Sequence, residues 1–151
     1  MNRRLMAVSC LVVLLAAPLL GSVREAASAE AEIPPVVLSG LEAYKQSGPE
    51  EAFKVWLAGS PLEGEKMAMS QVNNFRQVES LYGPYEGFNP IKVVELTPKS
   101  TIVYLQINFQ KGPLFASFVC YQGQGGGWAV AWLKFHTEVD MILPSQILSG
   151  G

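Results

Sequence analysis

The only histidine and the only aspartate of this 151-residue chain lie four residues apart near its end, as His136 and Asp140. A histidine held between a serine and an aspartate can activate the serine hydroxyl as a nucleophile. Ser100 and Ser117 are the candidate serines, but neither lies in the glycine-flanked turn that presents such a nucleophile in hydrolases. The residues therefore favour no catalytic site, and a catalytic His136 stays open as the weaker alternative.

Two other patterns that carry chemistry are incomplete. A zinc site needs three or four protein ligands, whereas one histidine and one cysteine remain once the predicted export signal is removed. The glycine-rich stretch Gly123 to Gly127 is similar in composition to a phosphate-binding loop. Such a loop leads from a strand into a helix and carries a lysine, but this stretch joins two predicted strands. We expect neither a metal nor a cofactor.

Polar side chains alternate with apolar ones over residues 101–110. Tyr104, Gln106 and Asn108 are interleaved with Val103, Leu105, Ile107 and Phe109. A period of two predicts a strand with one apolar face and one mixed face. The polar groups would bind a ligand or simply face solvent, and the sequence leaves both possibilities open.

This strand belongs to a predicted series of four, at residues 91–96, 101–110, 114–121 and 128–136. The loops between them are short and rich in turn residues, which predicts an antiparallel meander. Loop lengths then predict the pairing, because a slip of one residue inverts a strand. We expect Leu105 opposite Phe118, Val94 opposite Val103, and Cys120 opposite Ala129.

These pairings predict two unlike sheet faces. The apolar face, which we assign to the helices, comprises Val94, Val103, Leu105, Ile107, Phe109, Leu114, Ala116, Phe118, Cys120, Ala129, Ala131, Leu133 and Phe135. The mixed face comprises Ile91, Val93, Tyr104, Gln106, Asn108, Phe115, Ser117, Val119, Tyr121, Trp128, Val130, Trp132 and His136.

The mixed face contains too many large aromatic residues for ordinary solvent-facing surface. Burying one of them contributes about 1.5–3 kcal/mol, so an exposed cluster usually marks an interaction site. The predicted binding residues are Tyr104, Gln106, Asn108, Phe115, Trp128, Trp132 and His136.

Three helices are predicted before the sheet. The first runs from Ser39 to Gln46 after an extended lead-in, and the second from Pro49 to about Ala58. The third begins at Ser60 and ends near Tyr82, with an apolar stripe at the spacing of an amphipathic helix. The stripe comprises Met67, Ala68, Val72, Phe75, Val78 and Tyr82.

The first residues have the pattern of an export signal. Two arginines precede an apolar run over residues 5–20, and Ala27 to Ala29 supplies the small residues that a signal peptidase recognises. Cleavage after Ala29 is therefore predicted. The alternative is a retained anchor, but the run is shorter than the roughly 20 residues of a spanning helix.

Cleavage would change both charge and cysteine content. It would reduce the lysines and arginines from 11 to 8 and the acidic residues from 13 to 12, so the net charge becomes about −4. No basic patch suggests nucleic acid. Cys10 would leave with the signal, and Cys120, inside a predicted strand, would be a buried unpaired thiol.

The predicted domain organisation follows from these elements. Residues 1–29 form the signal, 30–40 an extended lead-in, 41–143 a single α+β domain, and 144–151 a frayed tail. The 122 residues that follow the signal suit one domain with one core.

The last predicted strand has the form Gly-Trp-x-Val-x-x-x-x-Phe, from Gly127 to Phe135. Two or three helices followed by a curved meander ending in this strand resemble the cystatin-like cone of the nuclear-transport-factor-two-like superfamily. Residues 53–57 and 112–115 are also similar to small exported bacterial proteins of this kind. The resemblance covers residues 41–143.

That superfamily includes isomerases, dehydratases and cyclases as well as non-catalytic binding modules, so its fold does not carry one function. Its ketosteroid-isomerase-like enzymes need an acidic base and a pocket acid, whereas the only aspartate here, Asp140, follows the last strand.

Two functions are carried forward. The first is a non-catalytic exported module, periplasmic or secreted, that binds another protein or a second copy of itself through the mixed face. The alternative is an enzymatic or small-molecule-binding cone, with a pocket for an apolar ligand between helices and sheet. Neither involves nucleic acid or, after cleavage, a membrane. Polar groups inside the cone would favour the alternative.

Overall fold

The computed structural model describes residues 32–64 and 66–149, apart from the side chains of Met67 and Ala68. Helices α1 (Pro35–Ser47), α2 (Pro49–Leu57) and α3 (Lys66–Tyr82) precede strands β1 (Tyr85–Thr97), β2 (Ser100–Phe109), β3 (Gly112–Gln122) and β4 (Trp128–His136). A 3-10 turn (Val139–Met141) and helix α4 (Ser145–Leu148) follow. The predicted α+β class, with helices before an antiparallel meander in the order β1-β2-β3-β4, is confirmed.

The predicted export signal and its cleavage position lie outside the described residues. Within the described residues, no helix is long and apolar enough to cross a membrane.

The first helix begins earlier than predicted. The extended lead-in over residues 30–40 is wrong from Pro35 onward, because Pro35 occupies the first turn of α1. At that position the missing N–H of proline costs nothing. The frayed tail is also wrong in part, since Ser145–Leu148 forms the short helix α4.

The third helix begins later than predicted, at Lys66 instead of Ser60. Ser60 does act as a cap, but of a turn: its Oγ accepts the Leu62 N–H at 3.1 Å. Gly64 then has a φ of 75°, in the left-handed region that ends a regular turn. Val72 and Phe75 of the predicted stripe are buried, and Val78 and Tyr82 pack against the core.

The core lies between the three helices and one face of the sheet. Aromatic rings pack there edge to face, including Trp56 on Phe118 at 5.0 Å and Phe75 on Phe135 at 4.6 Å between centroids. Such contacts contribute about 0.5–1.5 kcal/mol beyond the burial of area. The interior is therefore filled by side chains.

Strands β2 and β3 have the predicted faces but not the predicted partners. Leu105 lies opposite Ala116, and Val103 lies opposite Phe118. The turn is formed by Gln110 and Lys111, so the pairing is shifted by two residues and every side chain keeps its face.

The outer strands differ from the predicted register, and both differences come from bulges. In β1, a bulge near Leu96 sets Val93 opposite Val103 and Val94 opposite Ile102. Val93 therefore faces the core and Val94 the opposite side, the reverse of the prediction. A bulge adds one residue to one strand, which inverts the faces beyond it.

In β4, the loop and a bulge at Ala131 change the predicted register. Cys120 lies opposite Val130 instead of Ala129, and Phe118 lies opposite Leu133. Val130 is consequently buried in the core, and Trp128 packs against the core cluster. Both residues were predicted on the mixed face. Ala129 lies opposite Tyr121, on the far face.

Candidate interaction surface

The face of the sheet turned away from α1 to α3 is called the open face. It carries Val94, Ile102, Tyr104, Gln106, Asn108, Phe115, Ser117, Val119, Tyr121, Trp132, Lys134 and His136. One apolar row crosses all four strands, because Val94 pairs with Ile102, Ile102 with Val119, and Val119 with Trp132. Cross-strand apolar pairs of this kind stabilise a sheet by about 0.2–1 kcal/mol each.

Part of the open face is covered by residues 139–148, called here the C-terminal strap. Ile142 and Leu143 are buried against Tyr104, which is only 9% exposed. The cluster is completed by Val94, Ile102, Phe115, Val139 and Ile147. The Lys134 ammonium donates a hydrogen bond to the Met141 carbonyl at 2.7 Å, which joins the strap to β4. Two predicted binding residues, Tyr104 and Phe115, thus pack in this cluster.

The strap leaves a second part of the open face uncovered by the described residues. Trp132 is 52% exposed and Tyr121 is 49% exposed, with the half-buried Val119 between them. These three residues are called the bare patch. Trp132 lies opposite Val119 on the neighbouring strand, and Val119 and Tyr121 are two residues apart on β3. The patch is therefore one continuous apolar area.

The predicted polar residues of the open face bind one another. The Gln106 amide donates to Asn108 Oδ1 at 2.7 Å, and the Asn108 amide donates to Asn89 Oδ1 at 2.6 Å. Each of these bonds uses only some of the donors and acceptors that an amide offers. The ladder fixes the orientation of the three amides and leaves hydrogen-bonding capacity at its ends.

His136 lies at the end of β4, opposite Phe115. Its Nδ1 accepts the backbone N–H of Glu138 at 3.0 Å, which fixes the ring orientation and leaves Nε2 as the donor of the neutral imidazole. The hydrogen bonds among the described residues connect His136 neither to Asp140 nor to a serine. Across the same residues, no group of three or more His, Cys, Asp and Glu side chains could hold a metal ion.

Trp128 does not lie beside the other predicted binding residues. It occupies the start of β4 on the core side, opposite Gln122, where it packs partly buried against the main cluster. The structure therefore brings Tyr104 and Phe115 together under the strap and leaves Trp132 on the bare patch, while it separates Trp128 from them all.

Protein-family models, curated proteins and solved structures were compared with the chain. None of the three comparisons finds a match. The resemblance to the cystatin-like superfamily therefore stays a prediction, and the chemistry of the surface has to be judged from this chain alone.

A groove with a volume of about 560 Å³ lies between α1 and the start of β1. One stripe of α1 lines it with Leu38, Leu41, Glu42 and Lys45, and β1 lines it with Tyr85, Glu86, Gly87 and Phe88. Burial, followed by the negative charge of Glu42, raises the pKa of Tyr85 above its ordinary value. The groove thus lies at the β1 edge of the layer between helices and sheet, where the alternative prediction places a pocket.

The core between helices and sheet contains few polar groups, and those that it has are paired. The Tyr44 hydroxyl donates to Glu79 Oε2 at 3.0 Å, and burial raises the pKa of that phenol. Trp56 donates its indole N–H to the Val37 carbonyl at 3.1 Å. No buried side-chain nitrogen or oxygen among the described residues lacks a partner. A ligand pocket needs free convergent polar groups. The described residues of this core supply none, because every buried polar side-chain atom among them has a partner.

From the sequence, a short tail through Met141, Ile142 and Leu143 can hide part of the mixed face but is too brief to cover four strands. The strap does cover part of that face, with Ile142 and Leu143 buried. Its apolar residues Val139, Ile142, Leu143 and Ile147 recur at spacings of three and four, the periodicity of a segment that lies on an apolar surface. That signal was available, but the segment is short and contains Pro144. Two of the β1 bulges had a signal in Gly87 and Pro90, since glycine and proline within a strand often mark bulges. The bulge at Ala131 had none.

Proposed function

We propose that this protein is an exported, non-catalytic module that associates with a second copy of itself through the bare patch. The observation that supports this proposal is the exposure of Trp132 and Tyr121 next to a strap that covers the rest of the apolar row. The strap already packs apolar groups on the same face, which supports the proposal that this face buries apolar groups. The patch lacks such a cover from the described residues.

We favour a second copy of the chain as the partner that covers the bare patch, because that copy presents the same apolar patch in return. Symmetric dimers with a self-complementary contact are the commonest assembly of small domains. Aromatic residues, and tryptophan above all, are the usual energetic centres of such contacts. Export rests on the signal pattern of the first 29 residues, and processing would place the N-terminus at Glu30.

The groove between α1 and β1 favours a second candidate function, the binding of a small ligand. Its volume of about 560 Å³ is within the range of ligand sites, and its wall combines apolar with charged side chains. Titration of the protein with a series of small amphiphiles, followed by Tyr85 chemical shifts, would test it. The absence of shifts at saturating ligand would contradict this second function.

The decisive variant is Trp132→Glu. A charge placed at the centre of an apolar contact is costly to bury, whereas residue 132 is half exposed in one copy, so the domain should still fold. We expect dimer dissociation to be favoured about thirtyfold or more, since central aromatic anchors typically contribute about 2 kcal/mol. Sedimentation of the processed protein, after N-terminal sequencing, measures the change.

Leu81→Glu is the matched control. Leu81 is 70% exposed on α3, on the helical side of the domain, so the same substitution there should leave association unchanged. If Trp132→Glu associates as strongly as the wild type, or if both variants weaken association equally, the bare patch is not the contact surface.

A further inference from the structure

The two edges of the sheet differ in how well they are protected against pairing with another strand. β1 forms one edge and contains Pro90, three bulges, and charged side chains at Glu86, Lys92 and Glu95. Proline, bulges and charges are the features with which proteins block edge-to-edge pairing. The β1 edge is therefore unsuited to receive another strand.

The opposite edge, formed by β4, has few of these features. Its nine residues include one charged side chain, Lys134, one bulge at Ala131, and no proline. Among the described residues, β4 pairs with β3 alone. No backbone hydrogen bond outside the β3–β4 ladder uses the N–H and C=O groups of β4 among the described residues, and Trp132 of the bare patch lies at the centre of this strand.

The size of the bare patch points to the same edge. A stable contact buries about 800 Å² on each partner. A large aromatic residue buries about 150–250 Å², so two that are already half covered supply roughly 200 Å² together. The bare patch alone buries too little area for a stable contact. Pairing of two strands beside it would add to the buried area the backbone of both strands and the side chains on both faces of the sheet.

We propose that two copies pair antiparallel along their β4 edges, about a two-fold axis, to form one continuous eight-stranded sheet. The proposal rests on the self-association proposed above and specifies its geometry. Because Trp132 and Lys134 share the open face, a register with Leu133 opposite Leu133 of the partner copy sets each Trp132 opposite a Lys134. That arrangement allows a cation–π contact and keeps the two lysines from lying directly opposite each other.

Amide hydrogen exchange distinguishes this geometry from a face-to-face contact. Edge pairing places the outward amides of β4 in new hydrogen bonds, so they should exchange roughly tenfold or more slowly in the wild-type dimer than in the Trp132→Glu monomer. The amides of β1 should exchange equally in both. Leu81→Glu should show the wild-type pattern throughout.

Each outcome decides between the proposals. A wild-type dimer whose β4 amides exchange as fast as those of the Trp132→Glu variant would overturn edge pairing and leave the proposed function intact. A wild-type monomer would overturn both. Dilution of the wild type provides a second comparison without any mutation, since the slow exchange of β4 should be lost as the dimer dissociates.

Discussion

At the scale of single residues, the close approach of α1 and α2 depends on Gly40. A β-carbon at this position would lie 1.9 Å from Trp56 Nε1, far inside contact distance. The indole cannot move aside easily, because it is fully buried and donates its N–H to the Val37 carbonyl. Only glycine leaves room for this ring on this helix.

Gly40→Ala should therefore destabilise the protein. Alanine gains about 0.8–1.0 kcal/mol in helix propensity over glycine. Overpacking costs about 1–3 kcal/mol, and displacement of the indole would cost about 1 kcal/mol more in its hydrogen bond. We expect a net loss of about 2 kcal/mol in urea unfolding. Ser39→Ala, at the exposed neighbouring position, is the control, and a Gly40→Ala protein as stable as this control would contradict the packing.

Cys120 is the second residue with a distinctive environment. It is fully buried, as predicted, and burial raises its pKa to about 12 from an ordinary 9.0. The protonated thiol suits the core, so its contribution to stability is fully present below pH 9. As the pH rises from 9 towards 12, the unfolded state ionises first and the folded state loses stability.

The wild type should consequently lose stability more steeply than Cys120→Ala above pH 9. The difference between their slopes should approach about 1.4 kcal/mol per pH unit at most. Urea unfolding at a series of pH values measures it. The raised pKa of Tyr44 affects both proteins alike, so identical slopes would show that Cys120 ionises freely in the folded state.

At the scale of elements, the strap is the feature that most changes the predicted surface. A short segment after β4 packs on Tyr104 and its neighbours, on the face that the sequence predicts to bind a partner. Leu143, at 5% exposure, and Leu148, at 46%, lie in this same segment and make a matched pair.

Leu143→Ala should lower the free energy of unfolding by about 2–3 kcal/mol, as expected for truncation of a buried leucine. Leu148→Ala should change it by less than about 0.5 kcal/mol. Chemical denaturation of both variants makes the comparison. Equal and small effects would indicate that the strap does not pack on Tyr104.

The elements themselves were largely predictable. The period-two pattern of β2 and β3, the proline at the start of α2 and the stripe of α3 are local signals, and each led to the right element. The β2 and β3 faces were right although the turn position was not, because a shift of two residues preserves the face.

The faces of β1 and β4 were less predictable, because one unpaired residue inverts everything beyond it. Val94 and Trp128 were assigned to the wrong sides for that reason, and Tyr104 and Phe115 could not be seen to lie under the strap. Bulges and docking of a short tail are set by tertiary packing, which leaves little trace in local sequence. Trp132 kept its predicted face because it lies after the bulge.

At the scale of the whole molecule, one face of the sheet is buried by helices and the other is shared between the strap and the bare patch. Together with the contrast between the β1 and β4 edges, this arrangement supports the proposal that two copies associate around Trp132. Lys134, bound to the strap carbonyl of Met141, would connect the strap to that contact.

The most direct test is the mass of the wild-type processed protein in sedimentation equilibrium between about 1 and 100 µM, concentrations that span moderate protein affinities. Self-association through the bare patch predicts twice the chain mass at high concentration, with dissociation towards a single chain on dilution. A single-chain mass at every concentration would rule out self-association through the bare patch.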